Sequence, residues 1–185
     1  MIGAQDVLEI YAYLSAHGIR VWLVGGWGVD ALLGEQTRSH KDLDVVMLLD
    51  DVARMKELLG GCGFELKDLW PENRWAHDSR GNKVATAFVL QDASGRELDV
   101  HAMCLDDRGN GIPAWDEAED FSFKEQDLAG RGTIAGVAVH CITPASQMRC
   151  HTGYELGEKD LHDLNLLHTN LGVEYPDGYP SDSAR

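Results

Sequence analysis

Asp42 and Asp44 stand two residues apart at the head of an apolar run, Val45-Val46-Met47-Leu48-Leu49. A strand's period of two puts both carboxylates on one face, their Cα atoms roughly 6.5–7 Å apart. At that spacing they can converge on one hard cation, or on a pair. Upstream, Gly25-Gly26 offers a flexible turn whose backbone N–H groups can approach a polyphosphate closely. A third carboxylate, Asp99, lies in Arg96-Glu97-Leu98-Asp99-Val100-His101, again leading an apolar-alternating stretch. Each element alone is weak. In this order they form the set that a metal-dependent phosphoryl transferase needs.

Those groups must be held by ordered elements, and the periodicities supply candidates. Val7, Leu8, Ile10, Tyr11 and Leu14 predict a helix over residues 4–17, stopped by Gly18. Ile19 to Val24 reads as a buried strand broken by Gly25-Gly26, and Trp27 to Leu33 as a short helix closed by Gly34. Leu43 to Leu49 is the next strand. Asp50 or Asp51 then caps a helix carrying Val52, Met55, Leu58 and Leu59 that ends in Gly60-Gly61. Lys83 to Leu90, the turn Asp92 to Gly95 and Glu97 to Met103 read as a hairpin with Glu97, Asp99 and His101 on one face. Residues 105–120 are expected to be a polar loop, and Thr133 to Thr143 one more strand or hairpin. Pro144 opens a helix through about Cys150. A last helix covers about Glu158 to Leu167, with Leu161, Leu164, Leu166 and Leu167 inward. The class is α+β with α/β-like features: a small mixed sheet flanked by helices, with helices at the C-terminal end. The spacing gives one domain over residues 1–172, its core to about 143 and a helical part over 144–172, followed by a flexible tail over 173–185.

Composition narrows the partners. The chain has 185 residues, 44% hydrophobic and 25% charged, which suits one globular domain with a real core. A net charge of −15 disfavours a polyanionic partner, so nucleic acid is excluded as acceptor and a cationic small molecule is drawn in. A metal-bound nucleotide stays compatible, because the cation and a few local bases screen its phosphates. No stretch reaches the length of a membrane span, and the N-terminal residues lack a signal-peptide pattern. Cys62, Cys104, Cys141 and Cys150 show no CxxC spacing, so reduced thiols in a cytoplasmic protein are expected.

The segment Val24-Gly25-Gly26-Trp27-Gly28-Val29-Asp30-Ala31-Leu32-Leu33-Gly34, followed by Thr37-Arg38-Ser39-His40-Lys41-Asp42-Leu43-Asp44, resembles the lincosamide and aminoglycoside O-nucleotidyltransferases of the polymerase-β-like superfamily. The resemblance continues through Gly95 to His101, Gly132 to Gly136, Cys141 to Pro144, His151-Thr152-Gly153-Tyr154-Glu155 and Lys159 to Asp163, so it spans most of residues 5–170. Many superfamily members carry Ser after the first glycine. Here Gly26-Trp27 follows, and backbone N–H groups must serve the phosphates instead. The resemblance implies a nucleotidyltransferase core and attack of a substrate hydroxyl on the α-phosphorus of a nucleoside triphosphate, expected to be ATP, with release of pyrophosphate. One or two Mg²⁺ are implied, held by Asp42 and Asp44, with Asp99 completing a second metal site or taking the acceptor's proton. Gly25 and Gly26 are expected to cradle phosphates ahead of a helix N-terminus. Arg38 is expected to contact the triphosphate, and His40 shares strand parity with Asp42 and Asp44. The related small enzymes imply a homodimer, and the acceptor implied is a small, cationic antibiotic.

Each of these residues also has a plainer reading. Asp-x-Asp can be a turn pair, Glu97 and Asp99 surface strand residues, Gly25-Gly26 an ordinary tight turn and Arg38 a solvated cation. Asp30 reads as solvent-facing, Trp27 as core, and Lys159, Asp160 and Asp163 as an exposed helix face. Arg149, His151 and Tyr154 are candidates to reach the nucleotide. Trp70-Pro71-Glu72-Asn73-Arg74-Trp75 is a candidate wall for the acceptor, and Asp116 to Asp120 a solvated charge run. Two other functions keep the same residues: a nucleotidyltransferase modifying a protein acceptor, as antitoxin-type members do, and a nucleotide- or metal-binding module without turnover. The eight histidines lack the spacing of a zinc site.

Overall fold

The apolar run after Asp44 becomes the middle of a sheet. A computed structural model describes residues 1–115, 121–151, 154–176 and 179. In chain order the elements are α1 (Ala4–Ala16), β1 (Val21–Val24), α2 (Gly25–Leu33), β2 (Leu43–Leu48), α3 (Leu49–Gly61), β3 (Glu65–Leu69), β4 (Trp75–His77), β5 (Lys83–Ala85), β6 (Ala87–Gln91), β7 (Glu97–Leu105), β8 (Gly111–Pro113), a 3₁₀ turn (Glu125–Ala129), β9 (Arg131–Ile134), β10 (Val137–His140), α4 (Pro144–Cys150) and α5 (Glu158–Leu171). The main sheet runs β1-β2-β7-β6-β3, with β8 added to β7. β2 and β7 are parallel; the other pairs are antiparallel. This is the α+β fold with a mixed sheet that the periodicities anticipated.

Alternation sorts the two faces of that sheet. Val21 and Leu23, Val45 and Met47, Leu98 and Val100 enter one core with α1 and α3. The opposite parity holds Trp22, Val46 and Met103, which pack with Phe123 and Ile142 in a second cluster. Val24, Asp44 and Asp99 share this second parity, so the carboxylates leave the face away from the larger core.

Four expectations change in the structure. The loop expected over 105–120 contains β8, paired antiparallel with β7. The helix expected from Trp27 begins at Gly25, so the glycines are its first turn rather than a turn ahead of it. The helix after β2 begins at Leu49 with no side-chain cap, and Asp50 and Asp51 lie in its first turn, where the dipole favours them without a capping bond. The strand read over Lys83 to Leu90 is broken at Thr86. Fully buried Thr86 receives the Arg74 N–H on its Oγ1 (2.8 Å) and donates the same hydroxyl to the Arg74 carbonyl (2.9 Å). Its N–H and that of Ala87 are taken by the Asn73 side-chain oxygen (2.8 and 3.2 Å). The strand is interrupted to anchor the loop of residues 70–74. Strand β3, unread in the polar string Glu65 to Leu69, is the sheet's edge.

Residues after α5 do not leave the fold at once. Gly172 closes the helix in the left-handed region (φ +68°), and Val173 and Tyr175 pack beside Leu164 and Leu167.

Candidate active site

Pairing brings the carboxylates together. Asp44 on β2 lies directly beside Asp99 on β7, and beside Val24 on β1, the residue before the glycines. Adjacent strands stand about 4.8 Å apart, so two carboxylates share one row of the sheet. Asp42, two residues before Asp44, sits at the entry to the strand and completes the triad of acids around one cavity.

Burial, joined by neighbouring acids, raises the proton affinity of these carboxyls. The Asp44 carboxyl is pushed well above the ordinary carboxylate range by burial, then by Asp42 and Asp99, against the pull of Lys159 and Arg38. Burial pushes Asp99 from 3.8 up to about 6; His101 and the hydrogen bond from Trp70 oppose the shift, while Asp42 and Glu72 add to it. The Trp70 indole N–H donates to Asp99 Oδ1 at 2.8 Å. His101 Nδ1 lies 3.5 Å from that same oxygen, and its Nε2 lies 3.3 Å from Glu72 Oε1. Glu97 is placed differently. It is buried and engaged by Lys67 (2.6 Å), Gln91 (2.9 Å) and Lys41 (3.0 Å). Burial works against its charge, but the two lysines win and hold its carboxyl below the ordinary value. Glu97 is a structural ion-pair node beside the site.

The glycines are required by contact. Gly25 has φ +57°, and a Cβ there would stand 2.7 Å from Asp44 Oδ2. A Cβ on Gly26 would run into the Arg38 guanidinium and the His40 ring. The first turn of α2 therefore lies directly against both an acid and a base, with N–H groups that have no partner within the helix.

The two basic residues there are fixed from behind. Arg38 is gripped by Asp163 of α5 through Nε (2.8 Å) and Nη2 (2.6 Å). Asp163 is only 1% exposed, so it is an anchor and not part of an exposed helix face. His40 is likewise buried, its Nε2 2.5 Å from Asp30 Oδ2 and its ring against Trp27 with centroids 4.5 Å apart. Asp30, expected at the surface, is buried and also accepts the Thr37 N–H (3.1 Å) and hydroxyl (2.6 Å). The segment of residues 37–40 is thus tied to α2. Asp30 and Asp163 were both missed as site supports. Asp30 had a signal, a lone acid inside the apolar helix Trp27 to Leu33; Asp163 had only its place in the resembling segment Lys159 to Asp163.

These groups open onto a cavity of about 900 Å³, at the upper end for small-molecule sites. Trp70, Trp115, Phe121 and Tyr154 form its aromatic wall. Arg149, His151 and Tyr154 line it too: Arg149 pairs with Asp127 (2.7 Å), His151 Nδ1 meets the Gln147 carbonyl (2.8 Å), and Tyr154 donates to Asp160 (3.3 Å). Lys159, one helical turn before Asp163, lines the cavity and makes no hydrogen bond or ion pair among the described residues. The acidic run Asp116 to Asp120 lies outside the described residues, as do Thr152 and Gly153.

The acids of this cavity suit Mg²⁺. Among the described residues no three His, Cys, Asp or Glu side chains are drawn into a ready coordination shell. That agrees with the cation's chemistry, since Mg²⁺ is commonly held by one or two carboxylates plus substrate phosphates. Asp42 and Asp44 offer such a pair of hard oxygen donors, and the Asp44 carboxyl is raised by burial and by Asp42 and Asp99, against the pull of Lys159 and Arg38, a setting that a bound cation would relieve. The residues fit.

Comparison with known proteins follows the same lines. A family model described as aminoglycoside-2''-adenylyltransferase matches residues 6–167. A lincosamide resistance protein of Staphylococcus haemolyticus is 26% identical over 161 residues, covering 87% of this chain and 89% of that protein. A 2''-aminoglycoside nucleotidyltransferase of Klebsiella pneumoniae is 36% identical over 56 residues, 29% of this chain and 32% of its own length. Two solved structures share the fold. The lincomycin-bound lincosamide antibiotic adenylyltransferase LnuA matches with TM-score 0.73 and 24% identity over 89% of this chain and 96% of its own. ANT(2'')-Ia in complex with adenylyl-2''-tobramycin matches with TM-score 0.66 and 19% identity over 91% and 89%.

Proposed function

Because this chain belongs to the aminoglycoside-2''-adenylyltransferase family and is a nucleotidyltransferase, we propose that it transfers AMP from ATP to a hydroxyl of a small cationic antibiotic, releasing pyrophosphate. The observation that carries this reading is the row formed by the glycine turn, Asp44 and Asp99 at the floor of one cavity. One or two Mg²⁺ held by Asp42 and Asp44 would neutralise phosphate charge when bound with the nucleotide. The remaining work belongs to the chain. The free N–H groups of the first turn of α2 donate to phosphate oxygens, aided by the helix dipole. Arg38, held by Asp163, and Lys159 bring positive charge to the same phosphates. His40, held by Asp30, shapes the floor beneath Gly26. Asp99 takes the proton from the acceptor hydroxyl as that oxygen bonds to the α-phosphorus and the bond to pyrophosphate breaks. A carboxyl titrating at about 6 is suited to such a base near neutral pH.

Lincosamides head the list of acceptors, since the lincosamide relative aligns over most of its length and the aminoglycoside one over about a third. A reaction that draws on ATP is consistent with a cytoplasmic protein. No described helix is long and apolar enough to cross a membrane.

The test is pyrophosphate release with ATP and Mg²⁺ across lincosamides, aminoglycosides and plain alcohols, with Asp44→Asn as control. Release that needs one drug class and vanishes in the variant is the expected result. Silence across the panel, with Mg-ATP still bound, would overturn the antibiotic assignment and leave a protein acceptor or binding without turnover.

A further inference from the structure

Trp70 combines exposure and rigidity in a way that the fold alone does not need. The residue is 39% exposed, although it is a large aromatic side chain. Yet its backbone is fastened. The Trp70 N–H donates to the Ala87 carbonyl (3.1 Å), and the Asn73 N–H closes a turn onto the Trp70 carbonyl (3.0 Å). Pro71 pre-sets that turn, and the Asn73 side chain and Thr86 anchor it to the break between β5 and β6. A sheet strand has been interrupted to hold one ring at the mouth of the cavity. An exposed aromatic on a rigid turn beside polar groups is what a recognition surface uses.

The ring's polar end is committed. Its N–H occupies Asp99 Oδ1 at 2.8 Å, and Asp99 Oδ2 has no hydrogen-bond partner among the described residues. A carboxylate held by one oxygen cannot swing freely; it presents the other in a fixed direction.

We propose that Trp70 is a positioning residue for this reaction: its indole N–H orients Asp99 so that one oxygen meets the acceptor hydroxyl, while its exposed ring carries the acceptor. The ring suits an acceptor with a sugar-like or apolar face and a nearby amine, which it attracts as a cation over its π-face. Occupancy of the acceptor site and alignment of the proton-accepting oxygen then depend on one side chain. The proposal rests on the transferase reading above.

Two variants separate the roles. Trp70→Phe keeps a ring and removes the N–H; it is expected to lower kcat by about 10- to 100-fold with acceptor and nucleotide KM within about twofold. Trp70→Leu removes the ring as well and is expected to raise acceptor KM by about tenfold. A merely structural tryptophan would lower the melting temperature without this split. The hydrogen bond has its own readout: the Trp70 indole proton resonance, assigned by its loss in Trp70→Phe, moves upfield in Asp99→Ala. A folded Trp70→Phe variant with wild-type kcat, or an indole resonance indifferent to Asp99→Ala, would overturn the proposal. Absence of turnover by the wild-type protein with every acceptor would instead overturn the transferase reading, and the indole shift would still decide whether the pair exists.

Discussion

Burial raises the Asp99 carboxyl, so its ionised form is a cost to stability. Its carboxyl titrates at about 6 in the folded chain against an ordinary 3.8. A raised carboxyl favours folding when protonated, so its contribution is fully present below about pH 4 and is lost as pH rises through about 6. The shift corresponds to up to about 3 kcal/mol. Asp44 acts in the same direction. Without metal, the wild-type melting temperature should therefore rise between pH 7 and pH 5, and Asp99→Asn should flatten that rise. The variant should also melt higher than wild type at pH 7 while releasing no pyrophosphate. Paired melts at the two pH values check both points, and an unchanged pH slope in Asp99→Asn would show that the Asp99 carboxyl is not the titrating group behind the slope. Mg²⁺ should stabilise the wild-type protein more at pH 8 than at pH 5, since only the ionised acids bind it.

At the level of elements, the junction of β1 and α2 is the least forgiving. Gly25→Ala would impose a left-handed conformation, costing about 1–2 kcal/mol, and would press a methyl onto Asp44. Activity should fall by about 100-fold or more, with a modest drop in melting temperature; near-normal kcat/KM would mean that the close approach plays no part in binding phosphate. The elements themselves were largely legible. α1, β2, α4 and the β9–β10 hairpin follow from periodicity, and the parity of Asp42 and Asp44 was enough to place them on one face. Strand β3 was not legible, because Glu65-Leu66-Lys67-Asp68-Leu69 has no alternation and becomes a strand only by pairing with β6. The break at Thr86 was hidden because its cause, Asn73 and Arg74, lies 12 to 13 residues away. One local recipe does recur: Asp78, Asp92 and Asp106 each accept the N–H groups two and four residues ahead, with a left-handed glycine three ahead, and each closes a hairpin. Only the middle one was read as a turn.

Across the whole molecule, charge sets which ligands approach. The net charge of −15 surrounds a cavity lined by Asp42, Asp44, Glu72, Asp99 and Asp160. A cationic acceptor should therefore bind less well as salt shortens the Debye length from about 10 Å at 0.1 M to about 3 Å at 1 M. Its KM should rise severalfold over that range, while a neutral alcohol's KM stays level. Equal salt dependence for both would remove electrostatic attraction from the account. The parts of the site that no local pattern revealed are those joined over the longest stretches of chain. Trp70 meets Asp99 across 29 residues and Arg38 meets Asp163 across 125. That last separation has a consequence in time. A ribosome adding about 5–20 residues per second needs about 6 to 25 seconds to travel from Arg38 to Asp163. The glycine turn and the paired carboxylates leave the ribosome first and wait, without the clamp for their arginine, until α5 emerges. Translation order therefore makes α5 the last element to join the site.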